Sequence, residues 1–302
     1  MAMATDEEFL KAYLNDRQNI VEDALTRYLP AVENIPPEIF KAIHYSVFAG
    51  GKRIRPILCL ASVEALGGDI AQALPVACAL ELIHTYSLIH DDLPAMDNDD
   101  FRRGKPTSHK VFGEAIAILA GDALLTEAFN LLSRSEKMRI PAERRLAVIQ
   151  VIAQAAGISG MVGGQALDLL AEKTKPDLEA LRDIHRRKTG ALIAAAVKSG
   201  AIISGASENK VRALSEYGMN IGLAFQIADD ILNVEGDSNL MGKKTGSDAA
   251  RGKVTYPSIM GVEAARIKLS EHLAAAIQNL ADFDDRALPL RVIASYIINR
   301  KS

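Results

Sequence analysis

Apolar positions recur along most of this chain three and four residues apart, the spacing of one face of a helix, and no period-two alternation of any length appears. In 6–29 that spacing brings Phe9, Tyr13, Leu14, Ile20, Val21, Leu25 and Tyr28 onto roughly one face, which predicts an amphipathic helix. Pro36-Pro37 opens a second helix that runs through Phe48, because proline is tolerated in a first turn, and Gly50-Gly51 ends it. Further helices are predicted over 57–66, 70–93, 107–135, 141–171, 177–203, 208–235, 258–280 and 286–299. Gly67-Gly68 separates two of them, and Gly113 and the small-residue run 157–168 are expected breaks. Pro75, in the first turns of 70–93, is an expected kink. No linker divides the chain, so the reading is all-α, with a single domain over 1–302.

Composition agrees with helix over strand: Ala and Leu abound, aromatics make up 5% and Trp is absent. A net charge of −3 gives no general attraction to nucleic acid or to an anionic membrane. Cys59 and Cys78 lie in apolar helical context without metal-ligand spacing, as reduced core residues of a cytoplasmic protein would. The start of the chain is acidic and amphipathic, unlike a signal peptide, and no uncharged apolar run approaches the ~18 residues of a membrane span. Stable membrane insertion is not expected.

The chemistry concentrates in 80–109. An apolar helix delivers Asp91 and Asp92, then Asp97, then Arg102 and Arg103. Carboxylates ending an apolar helix need a compensating cation. Both signs are crowded here, so the arginines are not expected simply to hold the acids. A divalent metal on the carboxylates, with a phosphate bridging metal and arginine, is the economical reading. At about 100° per residue Asp97 would lie off the face of Asp91, but Pro94 should end the helix and let the chain fold Asp97 back. The plainer alternative is a solvated acidic loop.

A second apolar helix, 217–234, ends in Asp229 and Asp230, with Gln226 and Asn233 placed on the face of Asp229. Gln165 and Asp168 share a face that either points to a polar cavity or sits beside a glycine-rich helix contact. Lys188 and Thr189 precede a small-residue apolar stretch, where the lysine either snorkels or enters a cavity. The basic residues form two sets: Lys52, Arg53 and Arg55 with Arg103, and Arg102 with Lys188, Lys243 and Lys253. The first set also reads as a helix cap. Two anion sites suggest two diphosphate substrates, or one substrate and one regulator, and the apolar wall between the Asp pairs suggests a hydrocarbon diphosphate, ionised by Lewis-acid metals.

In order along the chain, GGKRIRP (50–56), DDLPAMD (91–97), RRG (102–104), KTG (188–190), FQIADDILN (225–233), GKK (242–244) and GKVTYP (252–257) resemble the motifs of the trans-isoprenyl diphosphate synthases, most closely the bacterial farnesyl type. The resemblance runs from about Tyr45 to Tyr296. It implies an isoprenoid-synthase-type helical bundle around a central apolar cavity, usually a homodimer. It also implies a prenyltransferase of isoprenoid biosynthesis that condenses isopentenyl diphosphate with dimethylallyl and geranyl diphosphate. Asp91, Asp92, Asp97, Asp229 and Asp230 would bind Mg²⁺, three ions per active site. Arg102, Lys188, Thr189, Gln226, Lys243 and Lys253 would hold the allylic diphosphate. Lys52, Arg55, His84 and Arg103 would hold isopentenyl diphosphate. Catalysis would fall to Asp91, Asp92, Arg102, Lys188, Thr189, Gln226, Asp229 and Lys243.

Tyr86, five residues before Asp91, would bound the cavity at a C15 product, while the small Ser87 beside it would not stop growth earlier. Otherwise Tyr86 reads as a packing aromatic. The family's second acidic motif commonly ends in Asp, and here Asn233 stands there, which implies weaker metal affinity. A geranylgeranyl or geranyl diphosphate synthase is the alternative within the family. Outside it stand a terpene cyclase, a metal-dependent phosphohydrolase using His90, His44 or His84, and an inactive partner subunit.

Overall fold

The computed structural model describes residues 2–31, 36–134, 136, 138–235 and 253–299. The helices are α1 (Ala2–Tyr28), α2 (Pro37–Val47), α3 (Ile54–Ala65), α4 (Ile70–Asp91), α5 (Ser108–Phe112), α6 (Glu114–Ser133), α7 (Ala142–Ala156) and α8 (Met161–Thr174). They continue as α9 (Leu178–His185), α10 (Ala191–Ile203), α11 (Glu208–Glu235), α12 (Tyr256–Met260), α13 (Val262–Gln278) and α14 (Leu288–Asn299). A π-helical turn, Arg186–Gly190, runs α9 into α10.

Helices fall where the apolar spacing predicts them, and the differences have local causes. Proline needs no N–H in a first turn, so Pro56 sits inside α3, which starts at Ile54 rather than at 57. The predicted 107–135 divides at Gly113, the expected break, and 258–280, with no break expected, starts early and divides at Gly261; both glycines have a φ that side chains rarely adopt, +81° and +82°. One short ladder was not expected: β1 (Phe101–Arg102) pairs antiparallel with β2 (Lys105–Pro106), Phe101 opposite Pro106. Two residues are too few for alternation to show in a sequence.

The core explains the order of packing. Residues 57–61 of α3 and 192–197 of α10 are buried without interruption, so both helices are covered on every side. One cluster of buried side chains joins α3 and α10 to α1, α2, α4, α6 and α7. A second joins the same two helices to α11, α13 and α14. The two central helices touch through small residues. Ser62 Oγ donates to the Val197 carbonyl at 2.7 Å, and a Cβ at Gly200 would meet the Cys59 carbonyl at 2.5 Å. A large residue at Gly200 would pry the clusters apart, and each buried Leu or Ile lost contributes about 1.5–3 kcal/mol. Cys59 and Cys78 are free and buried, as expected.

The reading of long apolar segments needs correction. Three spans, Ile70–Asp91, Glu114–Ser133 and Ala142–Glu172, are long and apolar enough to cross a membrane by length and composition. Single acids such as Glu81 and Asp122 hide this from a search for uncharged runs. In α4, 78% of that window is buried inside the protein, against 39% and 33% in the other two. The outward side of α6 and of the α7–α8 region therefore carries apolar groups, including Leu119, Leu146 and Leu170.

Candidate active site

α4 stops at Asp91, three residues before Pro94, and the chain turns back. The Asp97 N–H donates to the Asp91 carbonyl at 2.8 Å, and the Asn98 N–H to the Leu93 carbonyl at 3.1 Å. Asn98 takes a left-handed φ of +50°, which asparagine tolerates. The return of Asp97 toward Asp91 is thus built into the main chain. Burial pushes the Asp91 carboxyl up to about 6; Asp97 and Asp92 add like-charge repulsion, while Lys188 and Arg102 oppose it.

Asp92 behaves differently from the sequence expectation. Arg102 holds it, with Nε 2.8 and 2.9 Å from the two carboxylate oxygens and Nη2 2.6 Å from Oδ1. An arginine ten residues on does neutralise one of the acids, because the β1–β2 hairpin brings it back. Burial pulls the Arg102 guanidinium down, but the Asp92 hydrogen bonds and charge override it and hold it above its ordinary range. The hairpin is fixed by Tyr45, whose hydroxyl donates to the Pro106 carbonyl at 2.7 Å, and by Thr107, whose hydroxyl donates to the Asp99 carbonyl at 2.8 Å. At its tip Arg103 donates to the Gly50 carbonyl, tying this loop to the 50–53 loop.

The π-helical turn carries Lys188 and Thr189. Lys188 Nζ donates to Asp168 Oδ2 at 2.6 Å, and Thr189 Oγ1 donates to Gln226 Oε1 at 2.9 Å. Burial would lower Lys188, yet Asp168 more than restores it and the ammonium stays above its ordinary range. The turn is pressed between two helices. A Cβ at Gly164 of α8 would lie 2.3 Å from the Lys188 nitrogen, and one at Gly222 of α11 would lie 2.6 Å from Gly190 Cα. The small-residue run 157–168 therefore serves a close helix contact, and Asp168 reaches the polar site from the same helix.

Gln226 lies in the last three turns of α11. Its amide nitrogen lies 3.5 Å from Asp230 Oδ1. Asp230 is buried, and its Oδ2 accepts from the Tyr256 N–H at 3.0 Å. Asp229 and Asn233 are half-buried beside it. Lys253 Nζ stands 3.7 Å from Asp97 Oδ1, so the segment that leads into α12 spans from the α4 turn to the end of α11. Lys243 and the rest of the 242–244 motif lie outside the described residues.

A cavity of about 590 Å³ adjoins these groups. Its wall combines Asp91, Lys188 and Thr189 with Arg55 and His84, and continues through Tyr86, Ser87, Leu93, Met96, Met161 and Leu169. Tyr86 thus lines the cavity, edge-on to His90 with ring centroids 5.7 Å apart. Burial pushes His84 well below its ordinary range, and Arg55, Arg103, Arg102 and Arg53 add to the effect, so its imidazole is neutral. Arg55 is held down to about 10, first by burial and then by Arg103, with Glu81 opposing. Lys52 is exposed at the edge of the 50–53 loop. Arg53 leaves the anion-binding set to which its sequence position assigned it: it is 2% exposed and paired with Glu81. Glu81 went unnoticed in the sequence, although a lone acid within an apolar helix was a signal.

The free donors near Asp91 are carboxylate oxygens, and the Asp91 carboxyl is short of positive charge. That donor set suits a hard divalent cation that takes one or two carboxylates and fills its other positions from water or phosphate. Among the described residues no three His, Cys, Asp or Glu side chains converge into a closed metal site. Of the histidines of the phosphohydrolase alternative, His84 and His90 line the cavity with Asp91, and His44 does not. His90 Nε2 lies 3.1 Å from the Ile118 carbonyl, and His44 stacks against Phe40 at 4.0 Å.

Comparison with known proteins agrees with this arrangement. The family model described as polyprenyl synthetase matches residues 36–287. The chain is 52% identical over 290 residues to a farnesyl diphosphate synthase of Geobacillus stearothermophilus, covering 95% of this chain and 96% of the relative. It is 51% identical over 295 residues to a geranylgeranyl diphosphate synthase of Cyanophora paradoxa, covering 97% of each. An apo crystal structure of a synthase of Zymomonas mobilis titled FPP/GFPP superposes with a TM-score of 0.86 at 40% identity, over 96% of this chain and 98% of that one. The all-α bundle and its cavity are thus the scaffold of a prenyltransferase, and the chain belongs to the polyprenyl synthetase family.

Proposed function

We propose that the protein is a Mg²⁺-dependent farnesyl diphosphate synthase that extends dimethylallyl and geranyl diphosphate with isopentenyl diphosphate. The observation that carries the reading is the cavity wall, where Asp91, Lys188 and Thr189 stand at one apolar chamber with Arg55 and His84. That wall offers a place for two diphosphates and one hydrocarbon chain. Asp91, Asp97 and Asp229 would hold Mg²⁺, which would supply Lewis-acid pull on the leaving diphosphate. Lys188, Arg102 and Lys253 add positive charge to the same head group. Arg55, His84, Arg103 and Lys52 bind isopentenyl diphosphate. The allylic C–O bond breaks to give a cation, the isopentenyl double bond attacks it, and the released diphosphate takes the proton that restores a double bond. Lys188 and Thr189 also stabilise the cation, the Thr189 hydroxyl through its oxygen, and the apolar wall excludes water from it.

Tyr86 bounds the chamber at a C15 chain. The outward apolar groups of α6 and the α7–α8 region support a homodimer, and the buried reduced cysteines support a cytoplasmic setting. The test is product length. Purified protein is incubated with Mg²⁺, isopentenyl diphosphate and either starter, and the dephosphorylated alcohols are separated by gas chromatography with mass detection. Farnesol from both starters is expected, and Tyr86→Ala should lengthen the main product. Geranylgeraniol from the unaltered protein would keep the chemistry and remove Tyr86 as the floor. No elongation would refute the synthase reading.

A further inference from the structure

The positive charges of four arginines, Arg53, Arg55, Arg102 and Arg103, bear on His84, and Arg55 lines the cavity with it. Two of them are committed to carboxylates: Arg102 to Asp92 and Arg53 to Glu81. Among the described residues Arg55 and Arg103 have no carboxylate within ion-pair distance, and Arg55 Nε has no hydrogen-bond partner. The Arg53–Glu81 pair lies behind the cavity and lines none of it. Glu81 is 1% exposed and Arg53 2%.

Arg53 is held from three helices. Nη1 donates to Glu81 Oε1 of α4 at 2.7 Å, Nη2 donates to the Val47 carbonyl of α2 at 2.7 Å, and Nε stands 3.5 Å from Glu22 Oε1 of α1. Its backbone is left-handed, φ +49°, and one residue, Lys52, separates it from Gly50 and Gly51 at +92° and +127°. A residue with a side chain adopts that conformation at a cost of about 1 kcal/mol or more and keeps it only where its surroundings enforce it. Arg53 therefore sets the direction of the chain between Lys52 and Arg55. Glu81 sits three residues before His84 on α4, so one helical turn carries both the acid that anchors Arg53 and the imidazole at the cavity.

We propose that the Arg53–Glu81 ion pair is a positioning device for the isopentenyl diphosphate pocket. It fixes the 50–55 loop so that Lys52 and Arg55 meet the diphosphate, and it withdraws one guanidinium from competition for that anion. The inference rests on the functional reading above and predicts an effect confined to one of the two substrates. Neither residue touches a ligand; both act through Lys52, Arg55 and His84.

The test compares Glu81→Gln, which keeps the shape and removes the charge, with Arg53→Lys, which keeps the charge and loses the fork. In steady-state assays with Mg²⁺, KM for isopentenyl diphosphate should rise about tenfold or more in each variant, about 1.4 kcal/mol. KM for geranyl diphosphate, and kcat at saturating isopentenyl diphosphate, should stay within about threefold of the unaltered protein. Both KM values unchanged, or both raised together with a lowered Tm, would overturn the proposal in favour of simple structural support. Loss of cooperative folding in both variants would overturn it as well. Calorimetric titration of isopentenyl diphosphate alone should show the same tenfold weakening. Should the unaltered protein fail to condense its substrates, the synthase reading falls, and the titration still tests the ion pair.

Discussion

α4 and α11 both end an apolar run in an Asp pair, yet the two ends are built differently. At α4 the second acid, Asp92, is neutralised by a guanidinium brought back on a hairpin. At α11 the second acid, Asp230, is buried and receives a main-chain N–H and a side-chain amide. At α4 the holding group is a guanidinium, and at α11 a main-chain N–H and a side-chain amide take part. In both, the second carboxylate is buried and organises its surroundings, and at α4 the first, Asp91, lines the cavity. A doubled acid in a sequence is therefore not a doubled ligand.

The largest expected effect tests that division directly. Asp91→Asn should lower kcat about 10³-fold, roughly 4 kcal/mol of lost transition-state stabilisation. Asp92→Asn should leave Arg102 with only the more distant Asp99, 3.7 Å away, and show chiefly as a lower Tm, a loss of about 1–3 kcal/mol measured by denaturant titration. Equal loss of kcat in both, with Tm unchanged, would break the comparison.

A smaller effect is expected at the pH-sensitive neighbour of the second end. His185 packs on Tyr256 with ring centroids 5.6 Å apart, and burial holds it down to about 4 from 6.5, with Asp168 opposing and Lys188 adding. The folded protein refuses a proton that the unfolded chain accepts, so stability falls as pH drops from about 6.5 to about 4, by at most about 3 kcal/mol. His185→Asn should flatten that part of a Tm-against-pH curve. An unchanged slope would show that other groups set it.

Asp230→Asn keeps an acceptor for the Tyr256 N–H and loses its charge, so a cost of about 1–2 kcal/mol in stability is expected by denaturant titration. A cost of zero would mean that the α12 start is held without it. Asn233→Asp is the mildest change. Turnover should stay within several-fold while the Mg²⁺ concentration for half-maximal rate falls. A large drop in rate, or an unchanged Mg²⁺ requirement, would overturn that expectation.

Much of this was legible beforehand. The helices follow from apolar spacing, and the return of Asp97 follows from Pro94. Pairing across turns was not legible. The Arg102–Asp92 contact depends on positive φ at Arg103 and Gly104, which no spacing rule encodes. Gln226 has one acid three residues on and another four residues on, and both lie within reach on a helix, so periodicity alone cannot choose Asp230. Arg53 and Lys52 are neighbours in a basic run, and only burial separates the pedestal from the ligand-facing groups.

Gly164, Gly190 and Gly222 bring α8, the π-helical turn and α11 into main-chain contact. The spacing between these three elements is consequently a backbone dimension, a fixed gauge rather than the sum of side-chain sizes. Residues on the apolar wall can be exchanged without resetting that gauge. Selectivity for chain length and the geometry of the reacting head group are thereby separable characters, open to change one at a time.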